Sequence, residues 1–179
     1  MPAGQLSCYS RGTMTPLALQ SPAPSIIIRP VRLTDSEPLH AACWPSRPFA
    51  AVYNLVSRSL RNAADGRGLG VVALDETGAP QGYGQVALWP SCAEISDLMV
   101  AEAARGQGLG TAIIQHLVRE AVRMHAPAVE IGVALANPRA LALYRRLGFV
   151  DSHTVMLNLG LGKEPVLFLR LDLPRHPPT

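Results

Sequence analysis

The apolar residues of this chain recur with two different periods, which predict strands alternating with helices. Short apolar runs predict six strands, at 26–31, 68–74, 81–88, 94–100, 129–134 and 166–171. Apolar residues three and four positions apart predict four helices, one carrying Leu39 and the others at 49–64, 109–125 and 137–147. Strands that alternate with helices predict a mixed α/β layer structure.

Residues that favour helix ends mark two of these helices. Thr34 and Asp35 carry oxygens that can accept from the first free amides of a helix, so they are expected to cap the first one. The last helix has Asn137 at its predicted N-cap, Pro138 in its first turn and Gly148 just past its end. Both helices therefore have predicted start points.

The two ends of the chain lack any such pattern. Residues 1–24 are rich in Pro, Ser, Thr and Gly and are expected to form a flexible leader, within which Met14 is a second candidate start. Residues 174–179 are expected to form a proline-rich tail. One domain at 25–173 remains between them.

Composition narrows the class of protein. Of the 179 residues, 48% are apolar and 16% are charged, which is enough apolar material for a sizeable core. The net charge of +3 is spread over both halves of the chain, which argues against a nucleic-acid partner. No stretch is long and apolar enough to predict a membrane span or a signal peptide.

Cysteine and histidine usage predicts neither disulfides nor a metal site. The three cysteines are scattered, no CxxC or HExxH occurs, and the five histidines lack ligand spacing. A reducing, cytoplasmic location follows as the simplest expectation.

The segment after the strand at 94–100 has the composition of an anion site. It reads RGQGLGT over residues 105–111 and opens the helix at 109–125. The first turn of a helix has four unpaired N–H groups at the positive end of its dipole, and glycines let an anion approach them. The segment therefore predicts a phosphate or oxyanion cradle.

Two common phosphate motifs do not fit this segment. A P-loop needs Gly-Lys-Ser/Thr, whereas Thr111 directly follows Gly110 and no lysine is near. A dinucleotide fingerprint needs GxGxxG and an acid at the end of the next strand. Here the glycines read GxGxG, and Glu130 lies at the start of a strand.

The remaining pattern resembles the acetyl-CoA signature of the GNAT N-acetyltransferase superfamily. It consists of RxxGxG at 105–110 after the strand, then NxxAxxLY at 137–144 followed by LGF at 147–149. The resemblance covers roughly 26–173. It implies a GNAT-like acyl-CoA N-acyltransferase fold, with a central, mostly antiparallel sheet of six to seven strands and helices on both faces.

The resemblance implies which residues hold acetyl-CoA, the cosubstrate, and it implies no metal. Met99 and Val100 would offer main-chain groups to the pantetheine arm, and Asn137 and Tyr144 would also touch the cofactor. The pyrophosphate would be held by Arg105, Gly106, Gln107, Gly108, Leu109, Gly110 and Thr111. Asn137 is equally explained as a helix cap alone.

The resemblance also implies two catalytic side chains. Tyr144 would protonate the leaving thiolate, unless it is only a core tyrosine. Glu94, eleven residues before Arg105, would accept the proton of the amine. Asp97 and a water molecule are alternatives, and regular alternation puts Glu94 and Asp97 on opposite faces unless a bulge intervenes.

The acceptor is expected near the segment 43–49, where Trp44 and Phe49 would shape a pocket and Arg47 would bind a carboxylate. A packed corner between helices is the alternative for this segment. Further candidates are Tyr53, Tyr83, Trp89, His153 and a loop at 159–163.

These observations predict an N-acetyltransferase that moves an acetyl group directly from acetyl-CoA to a primary amine of a small molecule or peptide. The alternative is a non-catalytic acyl-CoA-binding sensor on the same fold. No nucleic acid or membrane partner is expected, and the resemblance is compatible with a homodimer. The sequence leaves the acceptor, the oligomeric state and the choice between Glu94, Asp97 and water open.

Overall fold

A computed structural model describes residues 26–158 and 162–174, and its strands form one seven-stranded sheet. The strands are β1 Ile27–Pro30, β2 Gly68–Leu74, β3 Pro80–Leu88, β4 Ala93–Val100, β5 Ala128–Ala134, β6 Val150–Asn158 and β7 Lys163–Asp172. Their order is β1-β2-β3-β4-β5-β7-β6. Neighbouring strands are antiparallel except β4 and β5, which are parallel. The predicted fold class is therefore confirmed.

Helices cover both faces of this sheet. They are α1 Ser36–Cys43, α2 Phe49–Ala64, α3 Leu109–Arg123 and α4 Pro138–Arg146, with short 3₁₀ turns at Leu33–Asp35 and Glu102–Ala104. Trp44, just after α1, packs against Tyr83 of β3 on one face, with ring centroids 5.6 Å apart. Helix α3 lies on the other face against Gly84.

The contact between α3 and β3 depends on a missing side chain. A Cβ atom on Gly84 would lie 2.9 Å from Ile113 Cγ2 and 3.0 Å from Leu117 Cδ1, and both of these residues are fully buried. Protein interiors leave no room for such an atom without a shift of the neighbours. The glycine therefore sets how closely α3 approaches the sheet.

The start of α1 differs from the prediction. The chain enters α1 through the 3₁₀ turn, and neither Thr34 nor Asp35 caps α1 with its side chain. The Asp35 carboxylate instead accepts from the Arg32 amide at 2.7 Å and from the Arg29 guanidinium at 2.7 and 2.8 Å. Burial alone would raise the pKa of Asp35, but the hydrogen bonds and charges of Arg29 and Arg32 outweigh it and lower the pKa.

Strand β6 is the element that the hydrophobic pattern misses. It is an edge strand, exposed along nearly its whole length, and its pairing with β7 shifts register between Asp151 and His153. An exposed strand needs no alternation of apolar and polar residues, and its segment shows none. The predicted last strand is also longer, at Lys163–Asp172.

Some predictions fall outside the described residues. These are the leader at 1–24 with its candidate start Met14, most of the tail at 174–179, and residues 159–161 of the loop at 159–163. Within the described ranges, no helix has the length and apolar character that crossing a membrane requires.

The variant Gly84→Ala tests the close approach of α3. Overpacking of this kind costs about 1–3 kcal/mol, so its free energy of unfolding in urea should fall by that amount. Gly110→Ala is the matched control, because its Cβ would meet Leu143 at an ordinary 3.7 Å. Equal stability of the two variants would contradict the packing argument.

Candidate active site

A cleft opens between the carboxyl-terminal halves of β4 and β5. The two strands pair only at Ala93–Val129, Glu94–Glu130 and Ile95–Ile131, although they run on to Val100 and Ala134. Strand β5 stays paired with β7 as far as Ala134, and β4 stays paired with β3 as far as Val100, so the two halves of the sheet separate between β4 and β5. Beyond Ile95, the main-chain groups of β4 and β5 therefore do not hydrogen-bond to each other.

A bulge in β4 accompanies this divergence. Gln85 lies opposite Ser96 and Tyr83 lies opposite Met99, so that Asp97 and Leu98 together face one residue of β3. Asp97 has a φ of 52°, in the left-handed region. A non-glycine residue there costs roughly 1–2 kcal/mol, and aspartate is among the residues that tolerate it best.

The bulge brings two acidic side chains to the same face of the sheet. Asp97 accepts hydrogen bonds from Gln85, which also bonds Ser96, and from Arg58 of α2. Ser96 and Glu94 alternate onto that same face. The bulge therefore overrides the regular alternation of the strand, and Glu94 and Asp97 lie together on the face of the sheet that α1 and α2 cover.

Glu94 has a raised pKa, and its main cause is burial. A hydrogen bond with the Trp89 side chain opposes this, while the negative charges of Asp97 and Glu130 raise the pKa further. A carboxylate whose pKa is moved toward neutrality can accept a proton more readily from an amine. Glu94 therefore has the chemistry of a general base.

The glycine-rich segment forms an open cradle at the end of β4. Gly106 and Gly108 have φ of 81° and 82°, which glycine adopts without strain. Gly108 is the N-cap of α3 and carries no side chain, and a Cβ there would meet no atom within 4 Å. The free amides at the start of α3 are thus accessible to an anion, and the pyrophosphate of coenzyme A fits this site.

A cation from α4 lies beside this cradle. A Cβ on Gly106 would lie 3.5 Å from Arg139 Nη2, whereas Arg105 donates from Nε to the Val100 carbonyl at 3.3 Å. Arg139 forms no ion pair within the described part of the chain. Arg139 is not among the residues predicted from the sequence, although it lies inside the motif at 137–144.

The two predicted residues Asn137 and Tyr144 lie just before α4 and within it. Asn137 Oδ1 accepts from the Ala140 amide at 3.1 Å, so its role as a helix cap is confirmed. Tyr144 is 6% exposed and packs near Phe149, with ring centroids 6.4 Å apart. Burial raises the pKa of Tyr144 to about 12, so its phenol is protonated at neutral pH and can act as an acid.

The family of the chain follows from a comparison with known families. The model of the acetyltransferase (GNAT) family matches residues 32–149, well over half of the chain. This chain belongs to the GNAT acetyltransferase family. An uncharacterized N-acetyltransferase of Methanocaldococcus jannaschii is 36% identical over 63 residues, which are 35% of this chain and only 28% of that relative's length.

Solved GNAT structures share the fold. A phosphinothricin acetyltransferase from Sinorhizobium meliloti, in complex with acetyl-CoA, superposes with a TM-score of 0.69 at 22% identity, over 83% of this chain and 88% of that one. The ribosomal-protein-S18-alanine N-acetyltransferase of Escherichia coli superposes with a TM-score of 0.65 at 19% identity, over 86% and 97% of the two chains. At these identities the likeness concerns the fold.

The predicted acceptor residues of this GNAT protein differ in accessibility. Trp44 is 5% exposed and packs on Tyr83, with the Arg47 guanidinium 6.0 Å from its ring, so the indole offers little surface to a ligand. Phe49 is 45% exposed and lies 6.1 Å from the ring of Tyr53. Of the two predicted aromatic side chains, Phe49 at the start of α2 is therefore the accessible one.

Two further candidates have ring partners or exposure of their own. His153 stacks on Phe168 at 5.0 Å, and Trp89 is exposed beside Glu94.

Over the ranges 26–158 and 162–174, no group of three His, Cys, Asp or Glu side chains is placed to bind a metal.

The variant Glu94→Gln tests the environment of Glu94 through stability. A raised pKa means that ionisation is less favourable in the folded than in the unfolded protein, so stability is lost as pH rises from the ordinary glutamate value, about 4.3, through the raised value. Glutamine does not ionise. The variant should therefore unfold at higher denaturant concentration than wild type at pH 7, and the difference should close near about pH 3. A difference that is independent of pH would contradict this account.

Proposed function

We propose that this protein transfers an acetyl group from acetyl-CoA directly to a primary amine. The observation that carries the proposal is the continuity of the β4–β5 cleft with the glycine cradle, because both lie at the end of one strand. A ligand with a pyrophosphate in the cradle can lay an extended arm along the open edge of β4. Acetyl-CoA has that shape and supplies a reactive thioester.

The main chain does most of the binding in this proposal. The amides of residues 105–111 hold the pyrophosphate, with Arg139 supplying a positive charge. Met99 and Val100 pair with the pantetheine arm as a neighbouring strand would, and Asn137 touches it from α4. An amide of β4 donates to the thioester oxygen, where negative charge develops as the amine attacks.

Two side chains move the protons. The acceptor enters as an ammonium group and must lose a proton before its lone pair can attack, and Glu94 accepts that proton directly or through water. The amine attacks the thioester carbon and forms the carbon–nitrogen bond, and the tetrahedral adduct then breaks its carbon–sulfur bond. The departing thiolate takes the proton of Tyr144, whose phenol is buried and protonated at neutral pH. The second proton that the nitrogen loses passes through water to the tyrosinate and restores the phenol.

The acceptor would bind on the α1–α2 side, where Asp97 and Phe49 lie. The Asp97 carboxylate attracts an ammonium group, and the exposed ring of Phe49 can cover an apolar part of a small molecule or peptide; Trp44 supports this wall from beneath. A homodimer and a cytoplasmic location stay predictions from the sequence.

The central test mixes the purified protein with acetyl-CoA and a panel of primary amines and follows the release of free thiol. Tyr144→Phe and Glu94→Gln should each lower kcat by about 10²-fold, the lower end of the range for acid–base catalysis, while the Kd of CoA stays unchanged. Wild-type activity should rise with pH as Glu94 ionises, and Glu94→Gln should lose that rise. Binding of CoA without thiol release from any amine would instead favour an acyl-CoA sensor.

The variant Arg139→Ala tests the cofactor site separately from catalysis. Loss of one charge-assisted contact to phosphate, about 1.5–3 kcal/mol, should raise the Kd of CoA by about tenfold or more in calorimetry. Arg146→Ala, an exposed arginine at the other end of α4, is the matched control and should bind CoA as wild type does. If Arg139 binds the pyrophosphate, the loss persists with dephospho-CoA. Equal affinities of the two variants would exclude the assignment.

A further inference from the structure

A buried glutamine of β3 holds the bulge of β4. Gln85 is only 4% exposed. Its Nε2 donates to Asp97 Oδ2 at 2.6 Å and to Ser96 Oγ at 3.1 Å. Both acceptors lie where β4 leaves its regular register, so one side-chain amide connects β3 to the start of the bulge.

Two neighbours determine how this amide is oriented and how Asp97 is held. The Tyr83 hydroxyl donates to Gln85 Oε1 at 3.4 Å, which leaves the amide nitrogen facing β4. Burial raises the pKa of Tyr83 to about 12, so the hydroxyl keeps its proton. Arg58 Nη2 reaches the same Asp97 oxygen at 3.2 Å, but its side chain is 56% exposed. The hydrogen bond from Gln85 to Asp97 is therefore shorter than the one from Arg58, and it is better shielded from solvent.

The conformation of the bulge decides what the end of β4 presents to the cleft. In a regular strand each added residue reverses the face to which the following side chains and main-chain groups point. Removing the bulge would therefore turn Met99 and Val100 relative to β5. Asp97 has to stay in the left-handed region for the present orientation to persist.

We propose that Gln85 is a positioning residue for acetyl transfer, which keeps Asp97 in its left-handed conformation and so directs the main chain of Met99 and Val100 into the cleft. The inference rests on the proposed function, because that function assigns this main chain to the thioester. The glycine cradle is placed by a different contact, the packing of α3 against Gly84. Loss of Gln85 should therefore impair catalysis much more than the binding of the CoA phosphates.

The test compares Gln85→Met with Gln81→Met. Methionine has a similar size but donates no hydrogen bond. Gln81 is the matched control, because it lies on the same strand and also donates to an aspartate, Asp75 Oδ2 at 2.7 Å, but at the hairpin between β2 and β3. For each variant, calorimetry measures the stoichiometry and Kd of CoA, and the thiol assay measures kcat.

The expected result is a kcat for Gln85→Met at least about tenfold below that of Gln81→Met, since small misplacements of reacting groups have effects of this order. Both variants should bind one CoA per chain with a Kd within twofold of wild type. A kcat within twofold of the control would overturn the proposal. A parallel fall of kcat and of CoA stoichiometry would indicate that Gln85→Met does not fold, and the paired exchange described next then decides.

A paired exchange keeps the test informative if Gln85→Met does not fold. Gln85→Glu places two carboxylates against each other above neutral pH, whereas adding Asp97→Asn restores a hydrogen bond with donor and acceptor exchanged. At about pH 8, Gln85→Glu should have a low kcat, and the double variant should have a kcat close to that of Asp97→Asn alone. A double variant with a kcat as low as that of Gln85→Glu would overturn the proposal. Wild-type protein that binds CoA and acetylates no amine would instead contradict the proposed function, and with it the basis of this inference.

Discussion

The structure depends on the loss of hydrogen bonding between β4 and β5. Backbone N–H and C=O groups need partners, and a parallel pair inside a sheet would ordinarily supply them along its whole length. Here the pairing stops after Ile95 and Ile131, at the bulge that places Asp97 in a left-handed conformation. The edge of β4 is left available for a ligand in the middle of the sheet, where seven strands and two layers of helices hold it in place.

The anion cradle and the open strand edge belong to the same segment, and both consist largely of main chain. The cradle presents amides of a helix start, and a net charge of +3 over 179 residues is compatible with a phosphate site made largely of main chain. Side chains then add what amides lack. In the proposed function Arg139 adds a full positive charge. Burial raises the pKa of Glu94, which strengthens it as a base, and it raises the pKa of Tyr144, which keeps the phenol protonated at neutral pH.

Much of the fold could be predicted because its signals are local. Apolar spacing predicted α2 at the bounds that the structure has, and the side chain of Asn137 caps α4 as the sequence indicates. Strand β6 could not be predicted in this way, because an exposed edge strand buries no face and leaves no apolar pattern. Asp35 does occupy the N-cap position of α1, but its side chain does not cap the helix as predicted, because the carboxylate accepts from Arg29 and from the Arg32 amide instead.

The sequence by itself indicated the family through its two motifs, and it indicated the cradle. A glycine turn before a helix leaves amides unpaired and uncovered wherever that helix lies in the fold. Only the tertiary structure decided how these parts meet. The bulge turns Asp97 to the side of Glu94, where it accepts hydrogen bonds from Gln85 and Arg58, which lie 12 and 39 residues away along the chain. The approach of Arg139 to Gly106 and the burial of Trp44 on Tyr83 are likewise contacts between distant segments. Such contacts arise from packing, which a local pattern does not encode.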